Sequence, residues 1–292
     1  MILSVIYSGY NDVVQNADSE SRKMKRNDID AFAQALAVEA GGLMVSERER
    51  AQLSYSYKRG TELVTSADLA VDQLISAKIK QKFPEHVILS EESSPDIGRA
   101  EDLSSPLWII DPIDGTVNYA HGHNQSAVSI AYADDGNIEV GVVLNPFTNE
   151  LFSAIRGKGA LLNGKSIKVG QENNVERAIV ATGFPYEKSG IKPMIKRVAA
   201  VLNQCADIRR LGSAALDICW VASGRLDAYY ESLNLWDFAA AQLIASEAGA
   251  RCGHFSEVPV GRNAQFYEND LLISNPSLYP KILTILEAAE HN

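Results

Sequence analysis

The sequence has few cysteines, and no two of them are paired in a motif. Cys205, Cys219 and Cys252 are its three cysteines in 292 residues, and none belongs to a CxxC pair. An odd number of widely spaced cysteines indicates neither a disulfide framework nor a zinc knuckle. We therefore expect reduced thiols and a cytoplasmic protein.

Long apolar runs are also missing. No run approaches the ~18 consecutive apolar residues that a membrane-spanning helix needs. The apolar start, residues 1–7, is short, has no basic residue before it and has no small-residue cleavage site soon after it. This pattern is not that of a signal peptide. We expect no membrane partner.

Positive charge is the third shortage. The chain has 27 Lys and Arg against 37 Asp and Glu, a formal net charge of −10. A protein that neutralises nucleic-acid phosphates usually has the opposite balance, so we expect no nucleic-acid partner. An acidic chain can still serve an anionic substrate when metal ions supply the positive charge.

The patterning of apolar residues predicts two parts of unequal length. Residues 1–26 are polar without a sustained period, which predicts a loosely ordered N-terminal extension. A helix start is predicted at Asn27, and residues 27–292 are predicted to form a single domain. Short apolar strands, a hairpin turn at Asp135-Gly136 and strand-helix alternation after Ala178 follow. This order predicts an α+β or α/β layered sandwich.

Acidic residues stand where two apolar strands are predicted to end. Glu91 and Asp111 each follow such a strand, and Asp114 comes three residues later, before Gly115 and Thr116. Carboxylates beside a hydrophobic core cost desolvation energy unless they are paired or bind cations. If a helix starts at Gly115 and Thr116, their backbone amides can bind an anion such as phosphate. Oxygen ligands next to such a turn suit Mg²⁺, which binds through a few carboxylates and substrate phosphate.

A further carboxylate is predicted at a helix N-terminus. Asp237 precedes the apolar run FAAAQLIASEAG. Taken alone, it has a second interpretation as a helix N-cap, and Asp111 with Asp114 has one as a tight turn. The pair Glu91-Glu92 alone is also typical of a solvated surface. Spacing by itself leaves these alternatives open.

Six motifs in this sequence resemble those of the inositol monophosphatase family. WIIDPIDGTVN resembles the first family signature and WDFAAAQLIASEAG the second, while LSEES resembles the family's G-E-E-S with Ser90 in the glycine place. The remaining matches are LVTSAD, GSAA and GRLDAYYE. In chain order the six motifs lie at residues 63–68, 89–93, 108–118, 212–215, 224–231 and 236–249. Several motifs in the family's order make the resemblance specific.

The resemblance implies a fold and a reaction. The implied fold is a layered αβαβα sandwich, and the implied protein is a homodimer. The implied enzyme is a lithium-sensitive phosphoric monoester hydrolase. It would bind two to three Mg²⁺ per site and hydrolyse myo-inositol monophosphate to inositol and phosphate with a metal-activated water. Two metal ions about 4 Å apart suit this chemistry, because they stabilise both the attacking and the leaving oxygen.

The resemblance also implies which residues hold the metal ions. They are oxygen donors at strand ends and at one helix start: Glu91, Asp111, the Ile113 carbonyl, Asp114 and Asp237. Asp111 would serve both principal metals, and Glu91 would also help to hold a weaker third.

The same resemblance assigns catalytic and substrate-binding roles. Thr116, supported by Asp68, would help Glu91 to orient and deprotonate the attacking water. Around that turn and on later segments lie the implied substrate-binding residues: Asp114, Gly115, Thr116, Ala214 and Glu231. The backbone amides of Gly115 and Thr116 would bind phosphate. The side chain of Glu231 would contact the alcohol, and so would Ala214.

One departure concerns the alcohol side. Glu231 and Asp237 are six positions apart here, whereas many family members have seven at the matching places. Within the same class, histidinol phosphate, fructose 1,6-bisphosphate and 3′-phosphoadenosine phosphates are alternative substrates, although Asn118-Tyr119 favours the inositol branch over the nucleotide branch. A function of a different class is a non-catalytic regulatory binding protein of the transcription machinery.

Overall fold

The computed structural model describes residues 2–50, 55–58, 62–95, 105–184 and 191–291. In this part of the chain the helices, in order, are α1 (Ile2–Glu49), α2 (Ser66–Lys82), α3 (Thr116–Ala120), α4 (Ile191–Leu202), α5 (Ala214–Ala222), α6 (Leu235–Glu247) and α7 (Tyr279–His291). The strands are β1 (Tyr55–Lys58), β2 (Glu62–Thr65), β3 (Val87–Ser90), β4 (Leu107–Asp114), β5 (Ala127–Asp134), β6 (Asn137–Asn145), β7 (Glu150–Ile155), β8 (Ala160–Leu162), β9 (Lys165–Ile167), β10 (Ile179–Thr182), β11 (Asp207–Arg209), β12 (Ala228–Glu231), β13 (Arg251–His254) and β14 (Leu271–Ser274).

Two mixed sheets form the layers of the molecule. The first has seven strands in the order β3-β4-β5-β6-β7-β8-β9, and the second has five in the order β11-β10-β12-β14-β13. Helices α1 and α2 cover the outer face of the first sheet, α5 and α6 fill the space between the sheets, and α4 and α7 cover the outer face of the second. This αβαβα order confirms the layered sandwich predicted from the sequence.

The N-terminal helix differs from its predicted start. Helix α1 begins at Ile2 and continues to Glu49, whereas the sequence predicts a loosely ordered extension and a helix start at Asn27. The physical reason is that the first proline of the chain is Pro84, so no residue in this stretch lacks the backbone N–H that a helix needs. The division into an extension and one catalytic domain at residue 27 stays a prediction.

The second half of α1 is apolar enough to resemble a membrane span. An 18-residue window within Arg26–Glu49 reaches a mean hydropathy of 1.2, and by length and composition this stretch would suffice to cross a membrane. Its apolar side, however, packs on the seven-stranded sheet, where Ile29, Ala33 and Leu36 are at most 3% exposed. Burial of this kind is what a core helix of the sandwich shows.

Helix α6 is rich in alanine where it packs between the two sheets. Ala239, Ala240 and Ala241 of α6 are completely buried between the sheets. Small side chains let α6 approach β6 closely, and a Cβ on Gly141 would lie 2.5 Å from the carbonyl oxygen of Ala240. This close approach fixes α6, which begins at the candidate site, against the first sheet.

We expect Gly141→Ala to lower the free energy of unfolding by about 1–3 kcal/mol, because the added methyl overpacks a backbone contact. Urea unfolding followed by circular dichroism measures the change. Gly42→Ala is the control, since a Cβ at Gly42 meets nothing within 4 Å. There, alanine in a helix interior is expected to stabilise by about 0.5–1 kcal/mol. A Gly141→Ala protein as stable as wild type would contradict the close contact.

Candidate active site

Two parallel strands bring the first pair of carboxylates together. Strands β3 and β4 are parallel, with Ser90 opposite Ile110. The residues that follow are Glu91 and Asp111, and the amide of Glu91 donates to the carbonyl oxygen of Ile110 at 3.3 Å. Because parallel strands end at the same edge of a sheet, both acids lie at one edge.

Beyond Asp111 the chain forms a bulge. The sequence predicts a strand end at Ile110 and then a turn, but β4 continues to Asp114 with a shift of register against β5 between Asp111 and Asp114. Pro112 explains the difference, since proline cannot donate to a ladder and is accommodated at bulges. The amide of Ile113 donates to Asp111 Oδ1 at 3.0 Å. Asp111 is 2% exposed and Asp114 is 7% exposed.

Gly115 turns the chain from β4 into α3. Its φ is +89°, in the left-handed region that favours glycine. A Cβ there would also lie 2.7 Å from the carbonyl oxygen of Gln125 and 3.0 Å from that of Gly212. The turn therefore requires glycine for two independent reasons, and it places Thr116 at the first position of α3.

Thr116 is held by a buried carboxylate on another helix. Its hydroxyl lies 3.0 Å from Asp68 Oδ1 and 3.1 Å from the carbonyl oxygen of Ile113. The other oxygen of Asp68 accepts from the Thr65 amide at 2.8 Å and from the Thr65 hydroxyl at 2.5 Å. Thr65 and Asp68 form the capping box at the start of α2, as their spacing predicts. Burial raises the pKa of Asp68, and these hydrogen bonds oppose the rise.

Asp114 is bound by the beginning of α5. Its Oδ2 accepts from the Ser213 hydroxyl at 2.5 Å and from the Ala215 amide at 2.8 Å, and its Oδ1 accepts from the Ala214 amide at 3.3 Å. Burial raises the pKa of Asp114 to about 6, although these hydrogen bonds lower it. The GSAA motif thus holds the side chain of Asp114 by its helix start.

Asp237 lies inside the first turn of α6 rather than at its N-cap. The N-cap is Asn234, and the Asn234 amide donates to Asp237 Oδ2 at 2.8 Å in a capping box. The helix consequently begins at Leu235, three residues before the predicted Phe238. The interpretation of Asp237 as an N-cap is therefore wrong, because Asn234 takes that position.

The carboxylates raise one another's pKa. For Asp111 the main cause is burial, followed by the charges of Glu91, Asp114 and Asp237. Burial also raises the pKa of Asp237 well above its ordinary value, and the charges of Glu91 and Asp114 add to the rise. The four predicted metal-binding side chains therefore share one region of strongly negative potential, which favours a cation.

The donor atoms fit a hard cation. Asp111 and Asp237 each give one oxygen to a backbone amide, which leaves the second oxygen for another partner. In the described part of the chain, no three His, Cys, Asp or Glu side chains already surround one point closely enough to hold a metal ion. A bound cation would thus draw in carboxylates that otherwise repel one another. Oxygen-only donors suit Mg²⁺, and the residues that would hold it are Glu91, Asp111, Asp114 and Asp237.

One cavity joins this acidic region to the predicted alcohol side. It is lined by Asp114, Gly115, Ala214, Glu231 and Asp237, together with other residues. Despite the shorter spacing to Asp237, Glu231 reaches the cavity, where it accepts a hydrogen bond from the hydroxyl of the buried Tyr229. Burial raises the pKa of Glu231 to about 7. The roles of these residues stay predictions, but the fold brings them to one place.

Several residues of this cavity are not predicted from the sequence. Gly183 faces Glu231 so closely that a Cβ on it would lie 2.0 Å from Glu231 Oε2. Arg210 and Asp217 also line the cavity. A signal for Asp217 is present, because it follows Ala214 by three positions on a predicted helix and therefore shares its face. Gly183 and Arg210 lie on loops, and no periodic pattern in the sequence predicts that these loops reach the cavity.

Comparisons with known proteins agree with this architecture. The model of the inositol monophosphatase family matches residues 25–291. The Nus factor SuhB of Escherichia coli strain K12 is 39% identical over 250 residues, which cover 85% of this chain and 91% of that protein. The crystal structure of the extragenic suppressor protein suhB from Bartonella henselae has a TM-score of 0.79 and 34% identity, covering 87% of this chain and 96% of that one.

A third similar protein is described with a ligand. The crystal structure of a staphylococcal IMPase-II with inositol monophosphate bound has a TM-score of 0.75 and 27% identity. The match covers 90% of this chain and 95% of that chain.

We expect Mg²⁺ to raise the Tm by roughly 3 °C or more at pH 7.5, because it relieves repulsion among the buried carboxylates. The pKa of Asp114 in the fold, about 6, exceeds its ordinary value of 3.8. Protonation of Asp114 therefore stabilises the cation-free fold at low pH, and this stability is lost as the pH rises through about 6. The gain from Mg²⁺ should accordingly be smaller at pH 5.5.

Scanning calorimetry after treatment with a chelator measures both values. Sodium chloride at equal ionic strength is the control for general screening. If sodium and magnesium raise the Tm equally at pH 7.5, the acidic region does not bind a divalent cation.

Proposed function

Since the chain belongs to the inositol monophosphatase family, we propose that it is a Mg²⁺-dependent phosphatase of small phosphate monoesters, above all myo-inositol monophosphate. The observation that carries this proposal is the cavity that joins buried, mutually repelling carboxylates to Ala214 and Glu231. Such a cavity offers a cation-binding end for phosphate and a separate end for the alcohol.

In this proposal the residues divide the work of hydrolysis. Bound Mg²⁺ supplies the positive charge that stabilises the phosphate and makes a water molecule more acidic. The amides of Gly115 and Thr116 bind the phosphate. The hydroxyl of Thr116 donates its hydrogen to Asp68. The lone pairs of the Thr116 hydroxyl oxygen can then accept a hydrogen bond from the attacking water. The water oxygen bonds to phosphorus, Glu91 takes the water proton, and the departing alcohol oxygen takes a proton from solvent.

The alcohol end supports inositol monophosphate among the alternative substrates. Glu231 can accept hydrogen bonds from hydroxyl groups, and as a carboxylate it repels a second phosphate. This argues against fructose 1,6-bisphosphate and 3′-phosphoadenosine phosphates. Histidinol phosphate, whose ammonium group a carboxylate would attract, stays the closest competitor. The staphylococcal relative described with inositol monophosphate gives further support.

Assembly and compartment are part of the same proposal. The family resemblance supports a homodimer, and three widely spaced cysteines without a disulfide support a cytoplasmic location.

A second candidate function is regulatory. The Escherichia coli relative is named a Nus factor, and this name favours a role in the transcription machinery in addition to, or in place of, catalysis.

A phosphate-release screen over small phosphomonoesters, with and without Mg²⁺, tests the proposed phosphatase function. Release of phosphate from no substrate in the presence of Mg²⁺ would leave the regulatory function as the better account.

We expect Asp114→Asn to lower kcat by about a thousandfold or more, which corresponds to several kcal/mol in the barrier. The reason is the loss of a proposed metal-binding charge beside the backbone amides that are proposed to bind phosphate. The fold should survive, because removing a buried charge relieves repulsion; a Tm at least equal to that of wild type checks this. Asp227→Asn is the matched control, since Asp227 accepts from the Ile179 amide at 2.9 Å outside the cavity. Near wild-type turnover of the Asp114→Asn protein at saturating Mg²⁺ would remove Asp114 from the metal site.

Lithium is expected to inhibit turnover uncompetitively, because it would bind the oxygen site of Asp111, Asp114 and Asp237 after substrate has bound. With half the charge of Mg²⁺, it stabilises the leaving oxygen less well. Steady-state kinetics at several substrate concentrations measure the pattern, and sodium at equal ionic strength is the comparison. Equal inhibition by lithium and sodium would speak against this site.

A further inference from the structure

A buried carboxylate in the cavity has an oxygen without a partner. Asp217 is 2% exposed, and its Oδ1 has no hydrogen-bond partner among the described residues. Burial of an unsatisfied polar atom costs free energy, so native proteins rarely keep one without a reason. Neither the metal site nor the proposed proton transfers use this side chain.

The position of Asp217 places this residue at the alcohol end of the cavity. Asp217 follows Ala214 by three positions in α5, so the two residues share one helix face about one turn apart. Both line the cavity, together with Glu231 and Tyr229. Asp217 thus lies one turn further along the wall on which Ala214 is predicted to meet the alcohol.

The groups around Asp217 favour an uncharged hydrogen-bond donor as the partner of this side chain. Burial is the main cause that raises the pKa of Asp217; the charges of Asp114 and Glu231 add to the rise, and Arg210 opposes it. Arg210 lies with its guanidinium carbon 5.4 Å from the ring centre of Phe184, another residue of the cavity. The alcohol end therefore has two carboxyl groups and one arginine, so oxygen atoms that can accept a hydrogen bond outnumber the cationic side chains.

We propose that Asp217 is a specificity-determining residue whose Oδ1 accepts a hydrogen bond from a hydroxyl group of the alcohol in a polyol phosphate. This inference rests on the proposed phosphatase function and narrows its substrate class. A substrate hydroxyl supplies the missing partner of Oδ1, while an alcohol without a nearby hydroxyl leaves it unsatisfied. Sites built to bind a hydroxyl discriminate strongly against analogues that lack it.

The test compares two substrates in four proteins. We expect Asp217→Leu to lower kcat/KM for myo-inositol 1-phosphate by about 10- to 100-fold, the range for leaving a buried polar group without its hydrogen-bond partner. Hydrolysis of 4-nitrophenyl phosphate, which has no hydroxyl on its alcohol side, should change less than about twofold. Asp217→Asn keeps an acceptor oxygen, so its loss on the inositol substrate should be smaller. Asp227→Asn should match wild type on both substrates.

Equal losses on both substrates would overturn the proposal, because Asp217 would then serve the fold or the acidic region. No loss on either substrate would overturn it as well. Deoxy analogues of inositol phosphate, assayed with wild type alone, provide a test that requires no variant to fold. If no single hydroxyl deletion lowers kcat/KM by more than about threefold, the proposed hydrogen bond is absent.

The same data separate this inference from the proposed function. Hydrolysis of 4-nitrophenyl phosphate without any advantage for polyol phosphates would retain the phosphatase and remove the role of Asp217. Hydrolysis of neither substrate by wild type in Mg²⁺ would remove the phosphatase itself.

Discussion

Burial of like charges at one sheet edge is the constraint on which the site depends. Glu91 and Asp111 reach that edge because β3 and β4 are parallel and pair Ser90 with Ile110, the residues just before them. Asp114 and Asp237 reach the same region from a bulge and from the start of α6. Without a partner of opposite charge this arrangement costs stability, as the raised pKa of Asp111 indicates. The rest of the sandwich must supply the free energy that holds these acids in place.

Backbone amides restrain three of these acids without cancelling their charges. Asp111 accepts from Ile113, Asp237 from Asn234, and Asp114 from the start of α5. Such contacts orient one carboxylate oxygen and keep the side chain from swinging out to solvent. The site is therefore ordered by hydrogen bonds that a cation does not have to replace, at least for Asp111 and Asp237.

The sequence predicted most of the fold because the fold follows short-range patterns, whereas the roles of the candidate site residues came from motifs shared with a family. Apolar strands, the Asp135-Gly136 turn and the Thr65 capping box have local signals, and the structure has each of them. The length of α1 was missed because a polar composition alone resembles that of a disordered segment, although nothing in that stretch interrupts a helix. The bulge after Asp111 was missed because it depends on pairing with β5.

The alcohol side was harder to predict than the acidic side. Family motifs give Ala214 and Glu231, but motifs say nothing of residues whose position depends on the packing of two sheets. Gly183 follows β10 and meets Glu231 because β10 and β12 are adjacent parallel strands. Asp217 is different, since helix geometry alone places it beside Ala214. An i, i+3 search on every motif helix would have found it.

The hydrogen bonds from α5 to Asp114 link the acidic region to the alcohol end of the cavity, two parts that could otherwise diverge separately. The amides of Ala214 and Ala215 bind Asp114, while the same helix face lines the alcohol end of the cavity. Mutations that reshape α5 for a new alcohol therefore also perturb the acidic region, and most of them would be lost to selection. The opposite wall follows β10, and Gly183 there faces Glu231 of the alcohol end. Divergence towards new substrates is expected to accumulate on that wall first.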